Sequence, residues 1–239
     1  MKDKHSIKVE LANFYKDKEA EDYDSLRNTA SSDRKLISIQ KNIINNLVNN
    51  LAGKKILDVA CGTGFFFSEY KNKEIYGVDI SEDMLSMAKS RHLKDVKLLK
   101  KSDATHLPFK DNFFDIAITS KFIMHTPEYL ESIGEMVRVT KKDGAIILDL
   151  PNKNSFSYLF TKRRIKQGKI RYYNFFTKQD INGICTKFNL KLDKKIGTTI
   201  LTYRTVPEFL YWFIDFLNIL PFLKNNFAYV YYVRLIKND

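Results

Sequence analysis

Three carboxylates and one imidazole stand at the ends of short apolar runs, where a bound ligand could meet them. In "KKILDVACGTGFFF" (54–67) an apolar run ends at Asp58 and breaks into a loop containing Ala60, Gly62 and Gly64. Glycines let a chain turn tightly and let a ligand approach its backbone. A loop feeding a helix start favours a negative group there. Asp79 closes "EIYGVDI", where a carboxylate can accept both ribose hydroxyls of a nucleoside. Asp103, in "KSDATHLPF", can accept the exocyclic amine of adenine. His125 follows the next apolar run. Its imidazole titrates near neutral pH and could take a proton from an attacking hydroxyl or amine; a structural or polar-lining role is the alternative. His106 reads as a loop residue.

The spacing also excludes chemistry. A dinucleotide fingerprint requires G-x-G-x-x-G, and here Gly62 and Gly64 fit but the third position is Phe67. Close helix–strand packing would be lost there, which disfavours a nicotinamide cofactor, and the phosphate-gripping G-x-x-x-x-G-K-[ST] is absent. Adenosine without phosphates suits the site better. Cys61 and Cys185 provide neither a disulfide framework nor metal-ligand spacing, so no metal is expected and a reducing cytoplasm is.

The elements that must position these residues alternate. Strands are expected at 55–60, in "EIYGVDI" and "VKLLKKSDA", at 114–120 and 144–150, and in "LKLDKKIG" and "FAYVYYVRLIK". Helices are expected over "FFFSEYK", over "SEDMLSMAKSRH" with Met84, Leu85 and Ala88 repeating, and over "TKQDINGICTKFN". A further one over "PEYLESIGEMVRVTK" carries Leu130, Ile133, Met136 and Val137 on one face. Such alternation implies a parallel sheet covered on both faces. Right-handed crossovers gather the strand-to-helix loops at one edge, and ligands bind there at the switch point.

Taken together, "ILDVACGTG", "VDIS", "DATHLPFKDNFFDIAITSKFIMH" and "EMVRVTKKDGAIIL" resemble the class I S-adenosylmethionine-dependent methyltransferases of the small-molecule type. The resemblance is close over residues 54–150 and holds in outline elsewhere. It implies an α/β, Rossmann-like, doubly wound sheet of seven strands, mostly parallel, with the last antiparallel. A single domain, 1–239, would comprise a helical N-terminal lid (1–50), a cofactor-binding core (54–150), and a C-terminal segment (151–239) of substrate cap and closing strands. The implied cofactor is S-adenosylmethionine, leaving as S-adenosylhomocysteine. Asp58, Ala60, Gly62 and Gly64 would hold its methionine half and Asp79 its ribose. Ile80 and Met84 would sandwich the adenine, Asp103 and Ala104 would meet its edge, and Ser120 would lie beside it. Tyr23 and Arg27, in "AEDYDSLR", would reach the methionine carboxylate, with plain packing the alternative for Tyr23. Ala60 stands where the family usually has glycine, so a slightly altered turn is expected.

The acceptor is less sharply marked. Neither a [DNS]PP[FYW] turn nor a Pro-Cys pair is present, which argues against DNA, while RNA stays open. Residues 151–239 hold 16 Lys and Arg against 5 Asp and Glu, and so carry +11 of the net +12. That excess suggests an anionic partner or a solvated lysine-rich surface. "TKRRIKQGKIRYYNFF" and "TVPEFLYWFIDFLNILPFL" would cap the acceptor site, fitting a small, apolar or anionic acceptor, either a lipid-linked or isoprenoid intermediate or an aromatic acid. They could equally dock on an anionic membrane or form the cap's own core. An RNA methyltransferase and a non-catalytic cofactor-binding protein are the rival functions. The N-terminus has no apolar run, so no secretory signal is expected.

Overall fold

The computed structural model describes Asp24 and residues 30–168, 172–203 and 206–238; Tyr23 and Arg27 lie outside the described residues. In chain order the elements are α1 (Ser31–Asn49), β1 (Lys55–Val59), β2 (Glu74–Asp79), α2 (Glu82–Ser90), β3 (Val96–Lys101), β4 (Phe114–Ile118) and α3 (Tyr129–Val139). There follow β5 (Thr140–Pro151), α4 (Ser157–Lys166), α5 (Lys178–Lys187), β6 (Leu190–Gly197), α6 (Tyr211–Ile219), α7 (Pro221–Phe227) and β7 (Val230–Lys237). The strands form one sheet in the order β3-β2-β1-β4-β5-β7-β6. β7 runs antiparallel to both its neighbours and the other six strands are parallel, as the resemblance implies.

Alternation along each strand builds a core on each face of the sheet. Ile56, Ile116 and Ile147 point to one side, where α1 contributes Ile43, Ile44, Leu47 and Val48. Leu57, Ala117 and Ile146 point to the other, against Ile133 and Met136 of α3 and Ile181 and Ile184 of α5. Residues 31–49 fall in the stretch expected to be a lid, yet α1 is a core layer. Four of its aliphatic side chains are buried there, and Arg234 Nη1 donates to Leu47 O at 2.9 Å.

Two local expectations change. The helix expected over "FFFSEYK" is a single 3-10 turn, Phe67–Glu69. In such a turn residues three apart share a side, which carries Phe67 and Tyr70 into the core together. β5 begins at Thr140, four residues before the expected 144. The extra length is taken up by a register shift between Phe114 and Ile116, with Asp143 at a φ of 58°.

β1 is followed by Ala60, whose φ is 57°. Alanine therefore adopts the left-handed turn that glycine would take, rather than altering it. That conformation costs an L-residue about 1–2 kcal/mol, and glycine's freedom in the unfolded chain offsets about 0.5–1 kcal/mol of the relief. Ala60→Gly should thus stabilise the chain by about 0.5–1 kcal/mol, read as a higher urea midpoint. An unchanged or lower midpoint would refute the strain.

Candidate active site

β1 to β4 deliver the loops that follow them to one cleft at their carboxyl ends. Its wall comprises Ala60 and Gly62 after β1, and Asp79, Ile80 and Met84 at the end of β2 and start of α2. Asp103 and Ala104 follow β3, and Ser120 and His125 follow β4. The cleft lies where the strand order turns from β2 on one side of β1 to β4 on the other, the switch point of an open parallel sheet.

Asp79 is the polar centre of this wall. Gly62 N–H donates to its Oδ2 at 2.8 Å and Ser81 N–H to its Oδ1 at 2.9 Å. Burial pushes the Asp79 carboxyl up, against the lowering effect of backbone donors from Ser81, Gly62 and Ile80. Ser81 also caps α2, its side chain accepting from Met84 N–H at 3.3 Å. A Cβ built on Gly62, at a φ of 55°, would meet nothing within 4 Å, so that backbone is open to the cleft.

Gly64 does not line the cleft. A Cβ on it would come within 2.6 Å of Phe67. Phe67 also lies over Gly77 of β2, whose Cβ would approach its ring to 3.0 Å. Close packing at position 67 is therefore kept: glycines at 64 and 77 make the room that a third fingerprint glycine would have made.

Polar side chains from neighbouring segments hold the other loops. Asp103 Oδ1 accepts from both Thr105 N–H and Thr105 Oγ1 at 2.9 Å. Lys121, at a φ of 61°, donates its N–H to both oxygens of buried Asp149, at 2.9 and 2.8 Å. Asn174 Nδ2 donates to Ile123 O at 2.9 Å and to Thr126 O at 2.8 Å, clamping the loop that carries His125. The His125 ring stands edge-on to Tyr173 at 5.3 Å; Phe175 and Tyr158 continue that aromatic row at 4.9 and 4.8 Å. His106 is exposed and off the cleft, within 3.0 Å of Thr105 Oγ1.

Thr105, Lys121, Thr126, Glu128 and Ser132 also line the cleft. Sequence reasoning missed them, although most sit in the same loops as residues it selected; Ser132 carried the one further signal, as a polar residue among the apolar positions of α3. Asp24, in the segment expected to cover the cofactor, accepts from Thr63 Oγ1 at 2.8 Å and pairs with Arg91 beside the first loop.

Residues 57–148 match the family model described as "Methyltransferase domain". The matched stretch holds the loops after β1 to β4 that form the cleft wall. Demethylmenaquinone methyltransferase of Geobacillus stearothermophilus is 36% identical over 134 residues, 52% of this chain and 56% of that protein. The enzyme of the same name from Geobacillus kaustophilus is 32% identical over 152 residues, 60% of this chain and 64% of that one. The chain thus spans 56% and 64% of the length of these relatives. Magnesium protoporphyrin IX methyltransferase of Synechocystis, solved with bound SAH, superposes with a TM-score of 0.70 at 14% identity, covering 97% of this chain and 100% of that one. At that identity the likeness is one of fold.

Within the matched stretch Asp58 lies beneath the first loop and not on the cleft wall. Its Oδ2 accepts from buried Tyr70 OH at 2.6 Å. Desolvation raises its pKa from 3.8 to about 7; the Tyr70 hydrogen bond opposes this and the Asp79 charge adds to it. The folded state thus holds a proton that the unfolded chain gives up between those two values, so this group costs stability as pH rises through that window. Asp58→Asn keeps an acceptor for Tyr70 and removes the ionisation. In urea titrations its stability relative to the parent should grow from pH 4 to pH 7, by on the order of 2–4 kcal/mol. A difference independent of pH would show that Asp58 is already ionised at pH 4.

Proposed function

We propose that the chain is an S-adenosylmethionine-dependent methyltransferase acting on a small, apolar or anionic acceptor of the lipid-like demethylmenaquinone kind. The observation that carries this is one cleft wall holding Asp79 and Asp103 at the ends of adjacent strands, with the open Gly62 backbone beside Asp79. Backbone donors from Gly62, Ser81 and Ile80 engage Asp79, and an ionised carboxylate offers about four acceptor positions. Room therefore remains for a ribose hydroxyl. Ile80 and Met84 offer apolar surface to an adenine, and Asp103 and Ala104 meet its edge. Ser120 lies beside the cofactor, and Asp58 acts on the cationic methionine half from beneath the loop. Tyr23 and Arg27 are assigned to the methionine carboxylate.

Bound there, S-adenosylmethionine would supply a methyl group already activated by its sulfonium. The protein's own task is then to orient the acceptor in line and exclude water, which can supply several kcal/mol of the barrier. His125 receives the proton released as the acceptor atom takes the methyl. The aromatic row Tyr173, Phe175 and Tyr158 runs from His125 to α4 and supports an apolar acceptor body. The segments between β5 and β7 would cap it.

The test is transfer of labelled methyl from S-adenosylmethionine into a cell extract fractionated into lipid, aqueous small molecules, RNA and protein. Label belongs in the lipid or small-molecule fraction; label in RNA would replace the acceptor class. Asp79→Ala removes charge-assisted hydrogen bonds of about 1.5–3 kcal/mol each, so cofactor affinity by calorimetry should fall roughly thirty-fold or more. Unchanged affinity would sink the cofactor assignment.

His125→Ala should bind cofactor within about two-fold of the parent and lose roughly a hundred-fold in kcat, the typical worth of a general base. Full turnover would make His125 a lining residue.

A further inference from the structure

α6 is amphipathic in the reverse sense to an ordinary surface helix. Its polar residues face the protein. Asp215 pairs with Lys35 of α1 and accepts from Tyr203 OH at 2.5 Å. Asn218 donates to Thr199 Oγ1 at 3.0 Å and accepts from Ile200 N–H at 2.9 Å, and Ile214 is buried beside them. The opposite face, Trp212, Phe213, Phe216 and Ile219, is 66%, 44%, 53% and 74% exposed. Soluble surfaces scatter single apolar residues, but a contiguous apolar face marks an interaction site.

The patch continues onto neighbouring elements. Phe209 before α6 and Phe222 on α7 are exposed. Phe156, at the start of α4, stacks on Phe227 at the end of α7 with centroids 5.8 Å apart. α4 then exposes Leu159 and Phe160 together with Lys162, Arg163, Arg164 and Lys166. Eleven of the thirteen large exposed apolar side chains among the described residues lie between 156 and 222, all but Leu192 on or beside α4, α6 and α7. No helix among the described residues is long and apolar enough to cross a membrane.

We propose that α4, α6 and α7 form a face that docks on an anionic lipid bilayer. The aromatic side chains of α6 and α7 enter the headgroup region, and the α4 cations meet lipid phosphates. Aromatic residues favour that interface, and apolar burial adds to the attraction of Lys and Arg for anionic lipid. Charge decides the occupant. A second copy would bring like charge against the same four exposed cations of α4, whereas an anionic bilayer neutralises them. The docking stands apart from the methyl-transfer proposal, because it uses no residue of the cleft wall.

Trp212 is the only tryptophan of the chain, so its fluorescence reports this face alone. The full chain is titrated with vesicles of phosphatidylglycerol in phosphatidylcholine, and with phosphatidylcholine alone. With the anionic vesicles, Trp212 emission should shift to the blue and be quenched by brominated acyl chains; neutral vesicles should act far more weakly. Arg163→Glu with Arg164→Glu, and separately Phe216→Ser with Ile219→Ser, should each weaken vesicle affinity roughly ten-fold or more. Circular dichroism confirms that each exposed-site variant stays folded. Trp212 emission unmoved by anionic vesicles, or parental affinity in both variants, overturns the proposal. So does a concentration-dependent dimer, seen in sedimentation and lost in Phe216→Ser with Ile219→Ser, without vesicle binding.

Discussion

The cleft depends on one half-buried carboxylate tied to two backbones. Asp79 receives an N–H from the loop after β1 and another from the start of α2, so the two loops move as one piece. A loop of small residues has little of its own to hold it, since glycine backbones lose the most freedom on folding. An isolated buried carboxylate would be costly, and two directed backbone donors provide the compensation. The left-handed turns at Ala60 and Gly62 follow from this, because the chain must bend back over the strand end to present that N–H.

The same device recurs along the sheet edge. Asp149 takes the N–H of Lys121 on both oxygens, and Asn174 takes two carbonyls of the next loop. Asp103 folds back onto Thr105. Each cleft loop is held by a side chain in addition to its backbone hydrogen bonds. Recognition groups can then sit on loops and still be fixed relative to one another. Preorganisation of that kind is what a methyl transfer governed by alignment requires.

Beyond the sheet the segments after β5 and β6 follow another logic. In α6 the charged and amide groups turn inward to anchor the helix while rings and aliphatic chains face out, and on α4 rings and cations are exposed together. An aromatic row links α4 to His125, so the apolar side of the molecule and the polar cleft are connected through packed rings. A lipid-like acceptor and a docking face on this side are compatible in geometry, and each stands on its own observations.

Much of this was legible in the amino-acid sequence because it is local. Apolar runs ended by Asp58, Asp79 and Asp103 mark strand ends, and strand ends in a parallel sheet share an edge, so the cleft could be placed without coordinates. Seven strands and the reversal of the last were likewise readable from pattern and resemblance. What was not legible depends on contacts between distant positions. Phe67 in place of a fingerprint glycine looked like lost packing until Gly77, on the next strand, proved to make room for it. Residues 31–49 looked like part of a lid until their aliphatic side chains were seen beneath the sheet. Asp58 looked like a ligand-facing acid and lies under the loop on Tyr70. The helix of 211–219 could be seen to be apolar, but not which way it faced, since Asp215 and Asn218 turn inward only because Lys35, Tyr203 and Thr199 are there to receive them. Sequence alone determined which residues stand at strand ends, because hydrophobic periodicity is local. Tertiary structure decided which of them face the cleft, the core or the outside, because that depends on partners far away in the chain.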